Sequence, residues 1–159
     1  MELYIEKFNT DCSWHQMASL SIEHWSQEAS GTMLPVHHSE LEEHPFGVLA
    51  EHKGCLGTMG YVAVKNLSED GTVGHIGTLI TNPYHRNENI ASQCLDFLLA
   101  KCGLYLPNMK EAFAHVNEKS LPLFIAKGGI DIEERKLPYS TNCNLVINMT
   151  PALNNQKGL

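Results

Sequence analysis

The chain has 159 residues, 43% hydrophobic and 18% charged, which fits one globular domain with a real core and excludes a disordered chain. Its net charge of −7, with only 11 scattered Lys and Arg, excludes a nucleic-acid surface and mildly favours a cationic small molecule or peptide. No apolar run approaches the ~20 residues that span a bilayer, and "MELYIEKF" has no basic start followed by an apolar stretch, so no secretion signal is expected.

"LYIEKF" (3–8) alternates like a half-buried strand. Residues 10–30 place Met17, Leu20, Ile22 and Trp25 at helical spacing, and 31–45 reads as a loop with at most a helical turn. "FGVLAEH" (46–52), "CLGTMGYVAVKNL" (55–67) and "TVGHIGTLIT" (72–81) form a three-strand meander joined by Lys53-Gly54 and "SEDG" (68–71). Pro83 stops the last of these, because it lacks an N–H and restrains Asn82.

A helix then starts at 89 or 90. Ile90, Cys94, Leu98 and Cys102 fall four apart with Leu95 in the same stripe, and Gly103 is expected to end it. A strand follows at 111–116, a short helix at 118–129 with Pro122 in an early turn, and strands at 131–136 and 144–149. The expected fold is α+β: one domain over 1–150 with a mixed, mostly antiparallel central sheet flanked by helices. Residues 151–159 are expected to be a flexible tail. The helix after residue 89 suits a right-handed crossover between parallel strands. Cysteines 12, 55, 94, 102 and 143 are odd in number and form no C-x-x-C pair, as in a reducing, cytoplasmic compartment.

"PYHRNENIASQCL" (83–95) joins the third meander strand to that helix. A helix N-terminus offers unpaired amides and about half a positive charge, so Arg86 to Ser92 suits an anion. The same residues also suit a plain helix start, with Asn87 or Asn89 as N-cap and Glu88 on the dipole.

Taken with its surroundings, the segment resembles the acyl-CoA signature of the GNAT superfamily of N-acetyltransferases, written Q/R-x-x-G-x-G/A. Arg86, Ile90 and Ala91 fit that pattern, and Asn89 stands where the family has its central glycine. "TNPYHR" resembles the family's approach to the loop, with Thr81 in place of a valine. "VNEKSLPLFIAKGG" resembles its asparagine-led segment: Asn117, Leu123 and Gly128 fit, while Phe124 replaces a tyrosine. The resemblance extends over roughly residues 3–149. It implies a GNAT-like acyl-CoA N-acyltransferase fold that uses acetyl-CoA and acetylates an amine.

The residues implied to hold the cofactor are Leu79, Ile80 and Thr81, Arg86, Asn87, Glu88, Asn89, Ile90, Ala91 and Ser92, with Asn117 and Phe124. Asn tolerates left-handed backbone better than most residues, so Asn89 is expected to keep the turn. His75 is the first choice of general base, since it lies on the approaching strand and an imidazole titrates near ~6.5. Glu51, His52 and His115 are its rivals. Phe124 has no proton to donate, which leaves Ser120, Tyr139 or water to protonate the leaving thiolate.

In "VHHSELEEH" (36–44), His37, His38, Glu40, Glu43 and His44 match no metal-binding spacing. No metal is expected, and a carboxylate-rich lip for a cationic amine is the preferred reading. Two alternatives remain: a GNAT-like domain that binds CoA without catalysing, and an interaction module whose sheet edge recruits a partner. Monomer and homodimer are both compatible with the sequence.

Overall fold

The structure, a computed structural model, describes residues 2–29, 33, 35–54, 57–85, 89–136 and 143–157. Its elements are β1 (Leu3–Lys7), α1 (Ser13–Glu28), α2 (His38–Glu43), β2 (Phe46–His52), β3 (Thr58–Leu67) and β4 (Val73–Thr81). These are followed by α3 (Ile90–Tyr105), β5 (Glu111–Val116), α4 (Leu121–Ala126), β6 (Ile130–Lys136), β7 (Cys143–Asn148) and α5 (Thr150–Lys157). The seven strands form one sheet in the order β1-β2-β3-β4-β5-β7-β6. Among the described residues only β4 and β5 pair in parallel, as the helical crossover between them requires. The expected mixed, mostly antiparallel sheet flanked by helices is the observed one. Among the described residues no helix is long and apolar enough to cross a membrane.

The sheet buries both faces. On one, Ile90, Cys94, Leu95, Leu98 and Cys102 of α3 pack with Val48, Val62, Ile76, Ala112 and Ala114. On the other, Ala18 and Ile22 of α1 and Leu41 of α2 pack with Leu49, Tyr61 and Ile80. The four-residue spacing read from the sequence is therefore the buried stripe of α3.

Two expectations fail. Gly103 does not end α3, which runs to Tyr105 and closes with Leu106 N–H on the Cys102 carbonyl. A glycine only weakens a helix interior, and packing overrides that weakness here. Of the flexible tail expected over 151–159, the described part is instead ordered, because Thr150–Lys157 is helical. The Asn148 side chain accepts the Thr150 N–H at 2.9 Å, the Thr150 hydroxyl accepts the Ala112 N–H at 3.1 Å, and Ala152 and Leu153 are buried in the α3 core. Tertiary docking holds a segment whose local composition is polar.

Candidate active site

β4 and β5 diverge. Their register runs Val73 with Glu111, Gly74 with Ala112, His75 with Phe113 and Ile76 with Ala114, and no further pairs follow among the described residues. β4 continues for five residues, Gly77 to Thr81, and β5 for two, His115 and Val116. β4 also bulges there: Ala63 faces Gly77 while Tyr61 faces Ile80, so three steps on β4 match two on β3. Thr78 absorbs the extra residue at φ 55, and a bulge of this kind turns a strand and re-aims its side chains. The result is a fork between two parallel strands. The β4 backbone beyond Ile76 presents its β5-facing groups to the opening.

Two buried polar atoms at the fork make no hydrogen bond, His75 Nδ1 and Thr78 Oγ1. The His75 ring lies 6.2 Å from Phe113 and 5.5 Å from His115, so all three share the face opposite α3. His75 sits at the last paired rung but one, at the closed end of the fork.

The mouth of the fork leads to the start of α3. Asn82 ties the end of β4 down, its side-chain amide donating to the Thr58 carbonyl at 3.1 Å and its Oδ1 accepting the Tyr84 N–H at 3.0 Å. Asn89 is the N-cap, left-handed at φ 58 and ψ 25, and its side chain forms no capping bond. The residue thus takes the glycine-like conformation expected of it, and it does not serve as a side-chain cap. The first amides of α3, at Ile90, Ala91 and Ser92, keep the uncompensated N–H character of a helix start. Gly60 lets this end approach the sheet, because a Cβ there would lie 2.7 Å from Ile90 Cγ2. Arg86, Asn87 and Glu88 lie outside the described residues.

The third wall is the β5–α4 turn. Asn117 Oδ1 accepts the N–H groups of Lys119 and Ser120, both at 2.9 Å, and Ser120 Oγ accepts the Asn117 N–H at 3.2 Å. The Ser120 hydroxyl is thus occupied in closing its own turn. Phe124 is buried in the α3 core, where it packs. Tyr139 lies outside the described residues.

Leu79 packs against the α3 core and Ile80 against the α1 core, on either side of the bulge, with Thr81 opposite Gly60. Among the rivals for the base, Glu51 and His52 belong to β2, with β3 between them and the fork.

Two polar groupings have no local sequence signal, because their members come from different elements. His15 Nε2 of α1 lies 2.5 Å from Glu6 Oε1 of β1 and 3.6 Å from Glu51 Oε1 of β2. Burial, opposed by nearby His15, holds the Glu51 carboxyl above the usual carboxylate range. Elsewhere His44 Nδ1 meets the Tyr61 hydroxyl at 2.8 Å. Burial and Lys65 push His44 down to about 4, so the imidazole is neutral at pH 7. A cavity of about 980 Å³ runs from Glu6 and His15 past His44 to Tyr105. It lies where β2 begins and α3 ends, away from the start of α3.

The family model described as "Acetyltransferase (GNAT) family" matches residues 9–127. An acetyltransferase of the GNAT family from Streptococcus pneumoniae superposes with a TM-score of 0.69 at 13% identity, covering 92% of this chain and 97% of that one. A Mycobacterium tuberculosis protein solved in complex with CoA superposes at 0.66 with 16% identity, covering 91% and 98%. A ribosomal-protein-S5-alanine acetyltransferase from Vibrio fischeri superposes at 0.68 with 13% identity, covering 93% and 92%. No curated protein matches the chain at the level of sequence.

Proposed function

The chain belongs to the acetyltransferase (GNAT) family, and from that premise we propose that it is an N-acetyltransferase that moves an acetyl group from acetyl-CoA to a primary amine of a small molecule or peptide. The observation that carries this reading is the fork. Beyond Ile76 and Ala114 the parallel ladder stops among the described residues, so that edge of β4 pairs with no strand, and His75 Nδ1 and Thr78 Oγ1, buried beside it, lack partners. An extended amide-bearing arm laid along β4 satisfies such groups, as an added strand does. The left-handed turn at Asn89 and the uncapped start of α3 lie at the fork's mouth, where a pyrophosphate meets backbone amides and the helix dipole. Ser92 adds a hydroxyl to that end, and Arg86, read from the sequence alone, is the proposed cation.

In the proposed reaction the amine nitrogen attacks the thioester carbonyl. A C–N bond forms, the C–S bond breaks, and the leaving thiolate takes up a proton. His75 is the proposed base for the amine proton, because it stands at the closed end of the fork with Nδ1 unpartnered. Backbone N–H groups of Leu79, Ile80 or Thr81 are the proposed donors to the carbonyl oxygen. Of the proposed acids, Ser120 is engaged in its own turn, which favours water or Tyr139. The charge of −7 favours a cationic acceptor.

A second reading has its own observation. With Phe124 in the core and Ser120 in its turn, a domain that binds CoA without transferring the acetyl group also fits. A thiol-release assay with acetyl-CoA and a panel of small amines and N-terminal peptides separates the two. Release that depends on an amine supports the enzyme. A melting shift with acetyl-CoA and no release from any amine supports the binding module.

A further inference from the structure

We propose that Glu23, His37 and His38 form a binding site for one divalent transition-metal ion of the zinc or nickel type. Taken alone, the segment 36–44 matches no metal-binding spacing. The missing ligand comes from α1, where Glu23 faces the start of α2. Its Oε1 lies 3.6 Å from His37 Nε2 and its Oε2 3.3 Å from His38 Nδ1. The two imidazole rings are 4.2 Å apart, and one ligand atom from each residue falls within 4.8 Å of the other two. An ion bound tetrahedrally at about 2.0–2.1 Å sets its ligands about 3.3 Å apart, so small side-chain adjustments suffice. Two imidazoles with one carboxylate suit a borderline-soft ion better than calcium or magnesium.

The frame that holds these side chains is rigid. Ser26, one turn beyond Glu23, is fully buried. Its Oγ donates to the Glu23 carbonyl at 2.7 Å and accepts the Val36 N–H at 2.9 Å. Val36 and Leu41 are themselves in the core on that face. His37 and His38 are thereby fixed over Glu23, and a site whose supports are locked binds without first ordering the chain.

Proton positions separate this cluster from the buried one at Glu6, His15 and Glu51. There His15 Nδ1 accepts the Asn9 N–H at 2.8 Å, so the proton sits on Nε2, the atom a metal needs. Moving it would strand a backbone amide. At His37 Nδ1 also accepts a backbone N–H, that of Ser39 at 3.2 Å, and lies 2.6 Å from Ser39 Oγ, but here both partners are exposed, so the proton can move from Nε2 to Nδ1 without stranding a buried amide. With the proton on Nδ1, the serine hydroxyl accepts it and water satisfies the Ser39 amide. Nε2 then faces the ion, oriented from behind as ligating histidines commonly are. His37 and His38 are 58% and 40% exposed, so water completes the coordination.

The test is calorimetric titration of the full chain with zinc chloride, alongside melting with and without zinc. One ion per chain is expected, with a higher melting temperature. His38→Ala and Glu23→Gln should each weaken binding roughly tenfold or more, while His24→Ala, the next residue of α1 and paired with Glu28, should not. Absence of binding by the wild type overturns the proposal, as does wild-type affinity in both ligand variants. Should a variant melt early without zinc, imidazole nitrogen NMR of the wild type decides. His37 and His38 must shift on adding zinc, and a shift confined to other histidines refutes the site.

Discussion

His75 combines an unpartnered Nδ1 with a place at the closed end of the fork. General-base catalysis contributes about 100- to 10,000-fold, so His75→Gln should lower turnover by that order and leave acetyl-CoA affinity nearly unchanged. Near-full activity in His75→Gln would transfer the role to His115. Glu51 tests a different property. Burial raises its carboxyl above the usual range, so the folded protein holds a proton that the unfolded chain releases. The stabilisation is complete below the ordinary carboxylate range and is lost as pH climbs through the raised value. Glu51→Gln should therefore melt higher than wild type at pH 8, by about 2–4 °C per kcal/mol in a chain of this size, and the gain should shrink near pH 4. An equal shift at both ends would mean that Glu51 is not the proton holder.

The turn into α3 behaves as a unit. Asn89 holds φ at 58, which glycine adopts freely and a β-branched residue resists. Asn89→Gly should keep or tighten acetyl-CoA binding, and Asn89→Val should weaken it, both read by titration. Equal affinities would reduce Asn89 to a surface residue. The closing helix α5 is a second unit. Leu153 is completely buried against α3 and its neighbours, so Leu153→Ala should cost about 2–5 kcal/mol in denaturant unfolding. A loss below ~0.5 kcal/mol, the range of surface substitutions, would show that α5 does not support the core.

For the whole molecule, acetyl-CoA binding to the folded state alone should add about 2.7 kcal/mol of stability at 100 times its dissociation constant. No melting shift with saturating acetyl-CoA would refute the proposed reaction and the binding-module reading together. Much of the architecture was legible from local sequence. Alternation marked the meander, Pro83 marked the end of β4, and the stripe from Ile90 to Cys102 marked the buried face of α3. Asn89 stood out through the resemblance, as the residue in place of the family's central glycine, and asparagine tolerates the left-handed turn that it adopts. These signals are local: backbone preference and hydrophobic period act within a few residues. The segment after Asn148 misled because its own composition is polar, and only docking onto α3 makes it a helix. The fork was implied only by the family resemblance and had no local signal, since it depends on where the β4–β5 ladder stops and on a bulged residue, Thr78, which moves later side chains to the opposite face. The clusters at Glu23, His37 and His38 and at Glu6, His15 and Glu51 unite residues from separate elements. Periodicity reports which face of an element is apolar, while register and packing between elements decide which polar groups on those faces meet.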